Sequence, residues 1–279
     1  MKLTHQKDAA AFLLAAQDFL LQAEVANCVL LSAPTRMRAK PGKNDSGSYF
    51  TTIEQNGKVI AAAFCPPRKW LNLTPLPFDA IALLVEDMRL HQAMPELVVA
   101  DAETARRFAQ AWAKANDIQY VEDYGLRMYQ LERVIPPRPT AGALRLGDMK
   151  DEVLVGNWSA AFDVEVDFGD ASAIQVLMLT ALQEQRLYLW DDGGPVSMLA
   201  RNAPTQNSER VSVVYTPPEL RGKGYAAAAN AALAQLIIDS GKRYVCLFAD
   251  IRNTISNKMY VKIGYEVVCD MARYKFLTT

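Results

Sequence analysis

Histidine and cysteine are scarce in this chain, and their scarcity limits the chemistry that it can support. His5 and His91 are the only histidines among 279 residues, so a histidine-rich metal site is not expected. A Ser-His-Asp triad or a Cys-His dyad would depend on one of these two poorly placed residues. The four cysteines are scattered without a CxxC pair, and Cys246 lies in the apolar run YVCLFAD, where a buried free thiol is the ordinary interpretation. We therefore expect no metal, no hydrolase triad and a reducing, cytoplasmic setting.

The sequence also lacks a charge excess and a long uninterrupted apolar run. The formal net charge is −1 and the pI is near 6.2, which gives the chain no electrostatic reason to bind nucleic acid or anionic lipid. The apolar blocks of the first 24 residues are interrupted at helical spacing, unlike a signal peptide or a membrane span. We therefore expect a globular protein without nucleic-acid or membrane partners.

Prolines mark a boundary in the middle of the chain. The segment RVIPPRPTAGALRLGD contains Pro136, Pro137, Pro139 and Gly142, a density typical of a stiff linker. The sequence thus predicts one domain over residues 1–135, a linker over 136–142 and a second domain over 143–279.

The second half alternates strand and helix patterns. A strand at ALRL precedes a helix that begins near the cap residue Asp148, a second helix in ASAIQVLMLTALQEQ and a hairpin around Asp192-Gly193. The strand ERVSVVYT, the helix GYAAAANAALAQLIIDS, the strand RYVCLFAD, the helix TISNKMYVKI and the strands YEVVCD and ARYKFL follow. This order predicts an α/β fold with a mixed, mostly antiparallel central sheet flanked by helices.

The first half repeats that order and is interpreted as a diverged duplicate. It has helices before residue 35, a hairpin around Asn56-Gly57, a strand at WLNL, the helix DAIALLVEDMRL, the strand ELVVAD, the helix AETARRFAQAWAKAN and paired strands to Val134. An unrelated α/β domain with common supersecondary units is the alternative. Residues 38–48, RAKPGKNDSGS, predict a loop that either covers a cleft or is a solvated connection.

The turn LRGKGYAAAA in the second half is built for an anion. Free backbone N–H groups in the first turn of a helix, with the positive end of its dipole, bind anions without a cationic side chain. Gly222 and Gly224 lack Cβ atoms, and the alanines at 226–229 keep the start of the helix thin. Arg221 and Lys223 either add positive charge to the site or are ordinary exposed basic residues. The first half has LNLTPLPFDAIA at the corresponding place, without glycine. An ordinary glycine turn before an alanine-rich helix is the alternative.

Two classes of phosphate ligand compete for this turn. Gly222, Gly224 and Ala227 satisfy G-x-G-x-x-G/A, and Asp250 ends the next strand, as in dinucleotide-binding domains. In that fold the strand runs almost directly into the first glycine, whereas TPPELR intervenes here between Tyr215 and Gly222. The chain also has no GxxxxGK[ST] loop.

The pair of segments VVYTPPELRGKGYA and NTISNKMYVKIGYE resembles the acyl-CoA-binding core of the GNAT superfamily of N-acetyltransferases, whose signature is Q/R-x-x-G-x-G/A after the fourth strand. Glu219 stands at the Q/R position, a departure that affects a side chain but not the backbone anion site. The resemblance implies a GNAT-type fold, with two such domains in tandem and a degenerate first one. It also implies acetyl-CoA as the acyl donor and a small-molecule or peptide amine as the acceptor.

The resemblance assigns roles to individual residues. Val213 and Val214 on a splayed strand would pair with the pantetheine arm, with Tyr215 beside them, and Tyr260 would be the catalytic acid. The helix-start position of the family matches Asn253, for which a plain N-cap role is the alternative. The pyrophosphate cradle would comprise Arg221, Gly222, Lys223, Gly224, Tyr225 and Ala226. Periodicity independently places Ile255, Met259 and Ile263 on a buried stripe, and Asn253, Ser256 and Tyr260 on a neighbouring stripe that faces a cleft.

Acyl transfer to an amine also requires oxyanion stabilisation, and in some enzymes a base. The Val214 N–H is the oxyanion candidate, and the base candidates are Glu209, Asp163, Glu165 and Asp167, all of which are also explained as solvated acidic residues. Three functions remain: an active N-acetyltransferase, a non-catalytic acyl-CoA-binding module and a dinucleotide enzyme. Tyr260 favours the first over the second, and the TPPELR insertion favours it over the third.

Overall fold

The computed structural model describes residues 1–39, 47–67, 69–166 and 171–277. In this part of the chain the α-helices are α1 (Ala9–Leu21), α2 (Cys28–Ala39), α3 (Phe78–Leu90), α4 (Ala102–Asn116), α5 (Glu152–Val166), α6 (Ala171–Gln183), α7 (Tyr225–Asp239) and α8 (Thr254–Lys262). The strands are β1 (Lys2–His5), β2 (Tyr49–Gln55), β3 (Lys58–Cys65), β4 (Trp70–Leu73), β5 (Leu97–Asp101), β6 (Gln119–Leu131), β7 (Ala143–Leu146), β8 (Leu187–Asp191), β9 (Pro195–Asn202), β10 (Ser208–Tyr215), β11 (Tyr244–Asp250) and β12 (Glu266–Leu277). The predicted α/β class is confirmed, with mixed and mostly antiparallel strand pairing flanked by helices.

Two compact units divide these elements. Unit 1 comprises Met1–Met128, Ala249–Asn253 and Val267–Thr279, and unit 2 comprises Tyr129–Phe248 and Thr254–Glu266. Unit 1 therefore includes a C-terminal strand, and the last three residues of β6 belong to unit 2. The predicted linker at residues 136–142 divides the sequence into two halves, and that domain boundary stays a prediction.

The sheet of unit 1 has the strand order β1-β2-β3-β4-β5-β12-β6. β2, β3 and β4 pair antiparallel, β4 and β5 pair parallel, and β12 pairs antiparallel with β5 from Met271↔Asp101 to Lys275↔Leu97. The hairpin at Asn56-Gly57 is confirmed: both residues have positive φ, as the type I′ turn requires. Aromatic and aliphatic side chains of α3, α4, β5 and β12 form the largest core cluster of this unit.

The sheet of unit 2 repeats this pairing scheme in the order β11-β10-β9-β8-β7. β8, β9 and β10 pair antiparallel, and β10 and β11 pair parallel, just as β4 and β5 do in unit 1. The cap at Asp148 is confirmed, since its side chain accepts from the Lys150 amide at 2.7 Å in a short 3-10 turn before α5. Side chains of α5, α6, β8, β9 and β10 form one core cluster of this unit.

Several local predictions were wrong. β1 was not predicted, because four residues carry too short an alternation to be detected. The paired strands expected before Val134 are the single strand β6, and the two closing strands are the single strand β12. The predicted loop at 38–48 lies mostly outside the described residues. In the described part of the chain, no helix combines the length and apolarity needed to cross a membrane.

A substitution in β12 should destabilise the N-terminal unit. Phe276 is 6% exposed and its ring centroid lies 6.3 Å from that of Trp112 in the core of unit 1. We expect Phe276→Ala to lower the free energy of unfolding of unit 1 by about 3–5 kcal/mol, the usual range for a buried phenylalanine. Hydrogen exchange should show faster exchange of the β5 amides, whereas the control Lys275→Ala, at an exposed neighbour, should leave them unchanged. Normal β5 protection in a Phe276→Ala protein would contradict the assignment of β12 to this core.

Candidate active site

The glycine turn leads directly into α7, as the sequence predicts. Pro218–Leu220 form a 3-10 turn in which the amides of Leu220 and Arg221 donate to the carbonyls of Pro217 and Pro218. Gly222 and Gly224 then have φ values of +79° and +89°, and Gly224 is the N-cap residue of α7 without a side-chain cap. Only glycine adopts this conformation at low cost, so both glycines are explained by the backbone.

The backbone amides of this turn lack protein acceptors. Within the residues that the structure describes, the first amide of the helix to find one is that of Ala228, which donates to the Gly224 carbonyl at 3.0 Å. The six preceding amides are those of Gly222, Lys223, Gly224, Tyr225, Ala226 and Ala227, and no protein hydrogen bond is formed by any of them in the same part of the chain. Successive unpaired N–H groups at the positive end of a 15-residue helix are the arrangement that binds phosphate groups.

The space beside the two glycines is not filled by described protein atoms. A Cβ atom on Gly222 would meet nothing within 4 Å, and one on Gly224 would meet only the Thr140 side chain, at 3.6 Å. The role predicted for the alanines is partly corrected: residues 226 and 227 are half-buried, whereas Ala228 and Ala229 pack inside the protein. The small side chains at 228 and 229 therefore serve the packing of α7 against its own unit.

Side chains hold the turn from two directions. The Thr140 hydroxyl, in the predicted linker, donates to the Lys223 carbonyl at 2.7 Å, a contact that sequence analysis missed because Thr140 lies far from the motif. The Arg221 guanidinium donates to the Thr216 carbonyl at 2.8 Å and to both Glu165 carboxylate oxygens at 2.7 Å. Arg221 thus has protein partners, while Lys223 is an exposed cation of the turn.

Strand β10 changes its pairing shortly before the turn. Its pairs with β9 skip from Ser212↔Ala200 to Tyr215↔Met198, so Val213 and Val214 both oppose Leu199. This is a β-bulge, and Val213 has a φ of +51°, which is rare for a β-branched residue.

The other edge of β10 separates from β11 at the same level. Among the described residues, the parallel pairs end at Arg210↔Cys246, although β10 continues to Tyr215. Unpaired backbone groups along this edge can pair with an extended ligand, in the way that a peptide or amide chain adds to a sheet edge. The Ser197 hydroxyl of β9 donates to the Tyr215 carbonyl at 2.9 Å and thereby fixes the end of β10.

Tyr260 lies in a cluster of tyrosines within unit 2. It is 6% exposed, and its ring centroid is 5.8 Å from that of Tyr129 and 5.7 Å from that of Tyr265. Burial raises the pKa of the Tyr260 phenol above its ordinary value, with a smaller contribution from Tyr129. Tyr129, whose hydroxyl donates to Asn257 Oδ1 at 2.7 Å, comes from the end of β6 and was not recognised from the sequence.

The predicted stripes of α8 need correction. Ile255, placed on the buried stripe, is 83% exposed, whereas Tyr260 and Ile263 are buried. α8 has nine residues, and Ile255 lies in its first turn, whereas the buried residue Tyr260 lies near its C-terminal end. The helix therefore buries the side that carries Tyr260.

Asn253 stands just before α8 and belongs to unit 1, whereas the glycine turn, the bulge and Tyr260 belong to unit 2. Its amide donates to the Asp250 carbonyl at 3.0 Å, and its side chain is exposed. Its proposed contact with the donor stays a prediction.

The base candidates differ in their surroundings. Glu209 is 4% exposed and forms an ion pair with Arg201, and Glu165 forms its ion pair with Arg221. Asp163 is 9% exposed, and its Oδ1 atom is buried without a hydrogen-bond partner among the described residues. Asp167 lies outside the described residues. Among the described residues, Asp163 is therefore the base candidate whose carboxylate has an oxygen without a protein partner.

The region around Asp163 adjoins the end of β10. The α5 side chains Trp158 and Phe162 lie against Tyr215, with ring centroids 6.1 and 6.4 Å away. On the same helix, Val155, Ser159 and Asp163 follow the i, i+4, i+8 spacing of one buried stripe. An apolar wall and a carboxylate are thus presented by one helix of unit 2.

The start of α3, the corresponding helix of unit 1, is less suited to an anion than the start of α7. α3 begins after Pro77, and the Ala80 amide donates to the Pro77 carbonyl at 3.0 Å. Pro75 and Pro77 have no N–H group, and the Leu76 amide donates to the Thr104 hydroxyl at 3.2 Å. Asp79 in the first turn places a negative charge where an anion would bind.

Comparisons with known proteins agree with this architecture. Residues 192–274 match the family model described as FR47-like protein. A Drosophila melanogaster protein of solved structure has a TM-score of 0.72 at 13% identity, covering 99% of this chain and 98% of its own. A GCN5-related N-acetyltransferase from Sphaerobacter thermophilus has a TM-score of 0.57 at 17% identity, with coverage of 98% and 94%.

A tandem GNAT protein from the clavulanic acid biosynthesis pathway is similar over 99% of this chain and 98% of its own, with a TM-score of 0.57 and 11% identity. No curated protein matches the sequence significantly. The family match falls on the half that contains the bulge and the glycine turn, and the structural matches span both halves. The chain therefore has the fold of these GNAT structures, and residues 192–274 in its C-terminal half match the FR47-like family model.

Proposed function

We propose that this protein is an acetyl-CoA-dependent N-acetyltransferase that transfers the acetyl group directly to the amine of a small molecule or peptide, with the donor bound by unit 2. The observation that carries this proposal is the run of six unpartnered amides at the start of α7, immediately after a bulged strand whose edge is free. A pyrophosphate joined to an extended amide-containing chain matches both features, and coenzyme A has this chemistry.

The bound donor would follow the chain from the turn to the bulge. The amides of residues 222–227 would hold the pyrophosphate, and the free edge of β10 near Val213 and Val214 would pair with the pantetheine amides. The thioester would then lie near the bulge, where the Val214 N–H is the candidate for stabilising the oxyanion. Arg221 would act mainly by fixing the turn, because its guanidinium already bonds Glu165 and Thr216.

Proton transfer requires an acid for the departing thiolate. Tyr260 serves this role in the proposal, because burial raises its pKa and keeps the phenol protonated at neutral and alkaline pH. Asp163, with its unpartnered Oδ1 atom, would bind the acceptor amine and take its proton. Trp158 and Phe162 would pack against the carbon skeleton of the acceptor.

The dinucleotide alternative is less well supported. In a dinucleotide-binding fold the first glycine follows the strand almost directly. Here the 3-10 turn Pro218–Leu220 stands between β10 and Gly222, and the bulge at Val213 has no role in that fold.

The first test separates the phosphate site from general strain at a glycine. We expect Gly224→Val to weaken acetyl-CoA binding at least about tenfold, equivalent to about 1.4 kcal/mol, because a branched side chain would displace the donor and distort the amides. Lys223→Ala should change the affinity only a few-fold, since an exposed cation contributes little. Titration calorimetry on the full chain is the measurement, because cutting at residues 136–142 would separate β12 from β5.

The matched control is Gly241→Val at the opposite end of α7. Gly241 has a φ of +95° and a Cβ there would meet nothing within 4 Å, so the backbone strain is similar. Gly241→Val should retain wild-type affinity for acetyl-CoA. Equal affinity in folded Gly224→Val and Gly241→Val proteins would argue against the phosphate site.

The second test addresses the acid. Tyr260→Phe keeps the ring between Tyr129 and Tyr265 but removes the hydroxyl, so acetyl-CoA affinity should stay within a few-fold while the single-turnover rate falls by roughly 100-fold or more. Tyr265→Phe is the control: the Tyr265 hydroxyl is buried without a partner among the described residues, and its loss should leave the rate unchanged. Thiol release in the presence of a panel of amines, amino acids and peptides would first identify the acceptor.

Two outcomes would change the proposal. A Tyr260→Phe enzyme with a wild-type single-turnover rate would assign the proton to solvent and leave Tyr260 a packing residue. Tight acetyl-CoA binding without thiol release for any acceptor would favour the non-catalytic binding module.

A further inference from the structure

The only two histidines of the chain meet in unit 1. His5 is the last residue of β1, and His91 follows the last residue of α3. Their rings are stacked, with centroids 3.9 Å apart and planes inclined by 12°. Sequence analysis did not pair them, because two helices and three strands lie between β1 and α3 along the chain.

An acidic residue completes this group. Asp87 lies one helical turn before His91, and the His91 Nδ1 atom is 2.9 Å from the Asp87 carbonyl oxygen and 3.4 Å from Asp87 Oδ2. The Tyr49 hydroxyl donates to the same Oδ2 atom at 2.5 Å. One potential ligand atom from each of His5, Asp87 and His91 lies within 4.8 Å of the other two.

The hydrogen bonds leave nitrogen lone pairs available. If His91 Nδ1–H donates to the Asp87 carbonyl, the lone pair is on His91 Nε2, which is the tautomer seen in metal-ligating histidines. The His5 Nδ1 atom is buried and has no hydrogen-bond partner among the described residues, which is costly for a polar atom. The bond from Tyr49 orients the Asp87 carboxylate, as outer hydrogen bonds do in metal sites.

We propose that His5, Asp87 and His91 form a binding site for a borderline divalent cation, with Zn²⁺ as the best match. Two imidazoles and one carboxylate are typical zinc ligands, and a water molecule would take the fourth position. The hard cation Mg²⁺ prefers oxygen ligands and would not compete at this site.

Binding requires one local movement. A metal ion lies in the plane of each imidazole that ligates it, and two parallel rings do not share such a position. His91 is exposed at the end of α3, so its ring can turn away from His5 without disturbing the core, while Asp87 stays held by Tyr49. The separation of the ligand atoms would shrink from within 4.8 Å to about 3.3 Å, as tetrahedral Zn–N and Zn–O distances require.

A bound metal ion would cross-link β1 to the C-terminal end of α3. β1 is an edge strand of four residues that pairs with β2 and with no other strand among the described residues, and short edge strands open easily. A cation that binds the folded state alone raises stability according to its concentration relative to its Kd. The site would thus secure β1 in the presence of the metal.

The small number of histidines allows metal binding to be followed at each proposed histidine ligand. Tag-free protein labelled in histidine contains two labelled residues, so an NMR titration reports both proposed ligands directly. After chelator treatment, ZnCl2 should shift the signals of both histidines and raise Tm, whereas MgCl2 should do neither. His91→Gln, His5→Gln and Asp87→Asn should each weaken Zn²⁺ binding by at least about 100-fold, and Tyr49→Phe by about 10- to 100-fold.

Asp79→Asn is the matched control, because it removes a carboxylate from the first turn of the same helix. It should retain the full increase of Tm with ZnCl2. Since each comparison uses the zinc-dependent increment, a change in the basal stability of a variant does not affect the result, and Tyr49→Phe tests the site without altering a ligand.

Two results would overturn the proposal. Histidine signals that do not respond to an excess of ZnCl2 would show that the stacked pair is purely structural. A zinc-dependent Tm increase that persists in both histidine variants, with thiolate charge-transfer bands when Co²⁺ is substituted, would assign the binding to cysteine.

Discussion

The candidate site in unit 2 depends on backbone groups that have no hydrogen-bond partner among the described residues. A buried or enclosed amide without a partner is costly, and most proteins satisfy such groups with caps or sheet neighbours. Here the edge of β10 is released from β11 after Arg210, and the start of α7 has glycine instead of a capping side chain. Both sets of groups belong to consecutive segments of one chain, which allows one elongated ligand to satisfy them together.

The surrounding side chains maintain this state. The bulge at Val213 and Val214 bends β10, Ser197 secures its carbonyl end, and Arg221 joins the turn to α5 through Glu165. These contacts use side chains to fix the backbone and leave its N–H groups free. Such pre-organisation reduces the entropy lost on ligand binding.

Sequence patterns predicted the features that depend on local rules. The hairpins at Asn56-Gly57 and Asp192-Gly193, the cap at Asp148 and the glycine turn all rest on the conformational preferences of a few adjacent residues, and all are present. Contacts between distant segments were missed: Thr140 on the turn, Tyr129 beside Tyr260, and His5 against His91. Ile255 shows a further limit, since periodicity identifies one side of a helix but not how far the packing extends along it.

The pairing of β5 with β12 has a consequence for biosynthesis. Strand β5 is translated well before β12, and at roughly 5–20 residues per second the delay between residues 101 and 271 is about ten seconds or more. During that interval the nascent N-terminal segment has its helices and most strands, but one side of β5 lacks its native neighbour. The first part of the protein to be synthesised therefore completes its sheet only after β12 has been made, and until then one edge of β5 lacks its native partner.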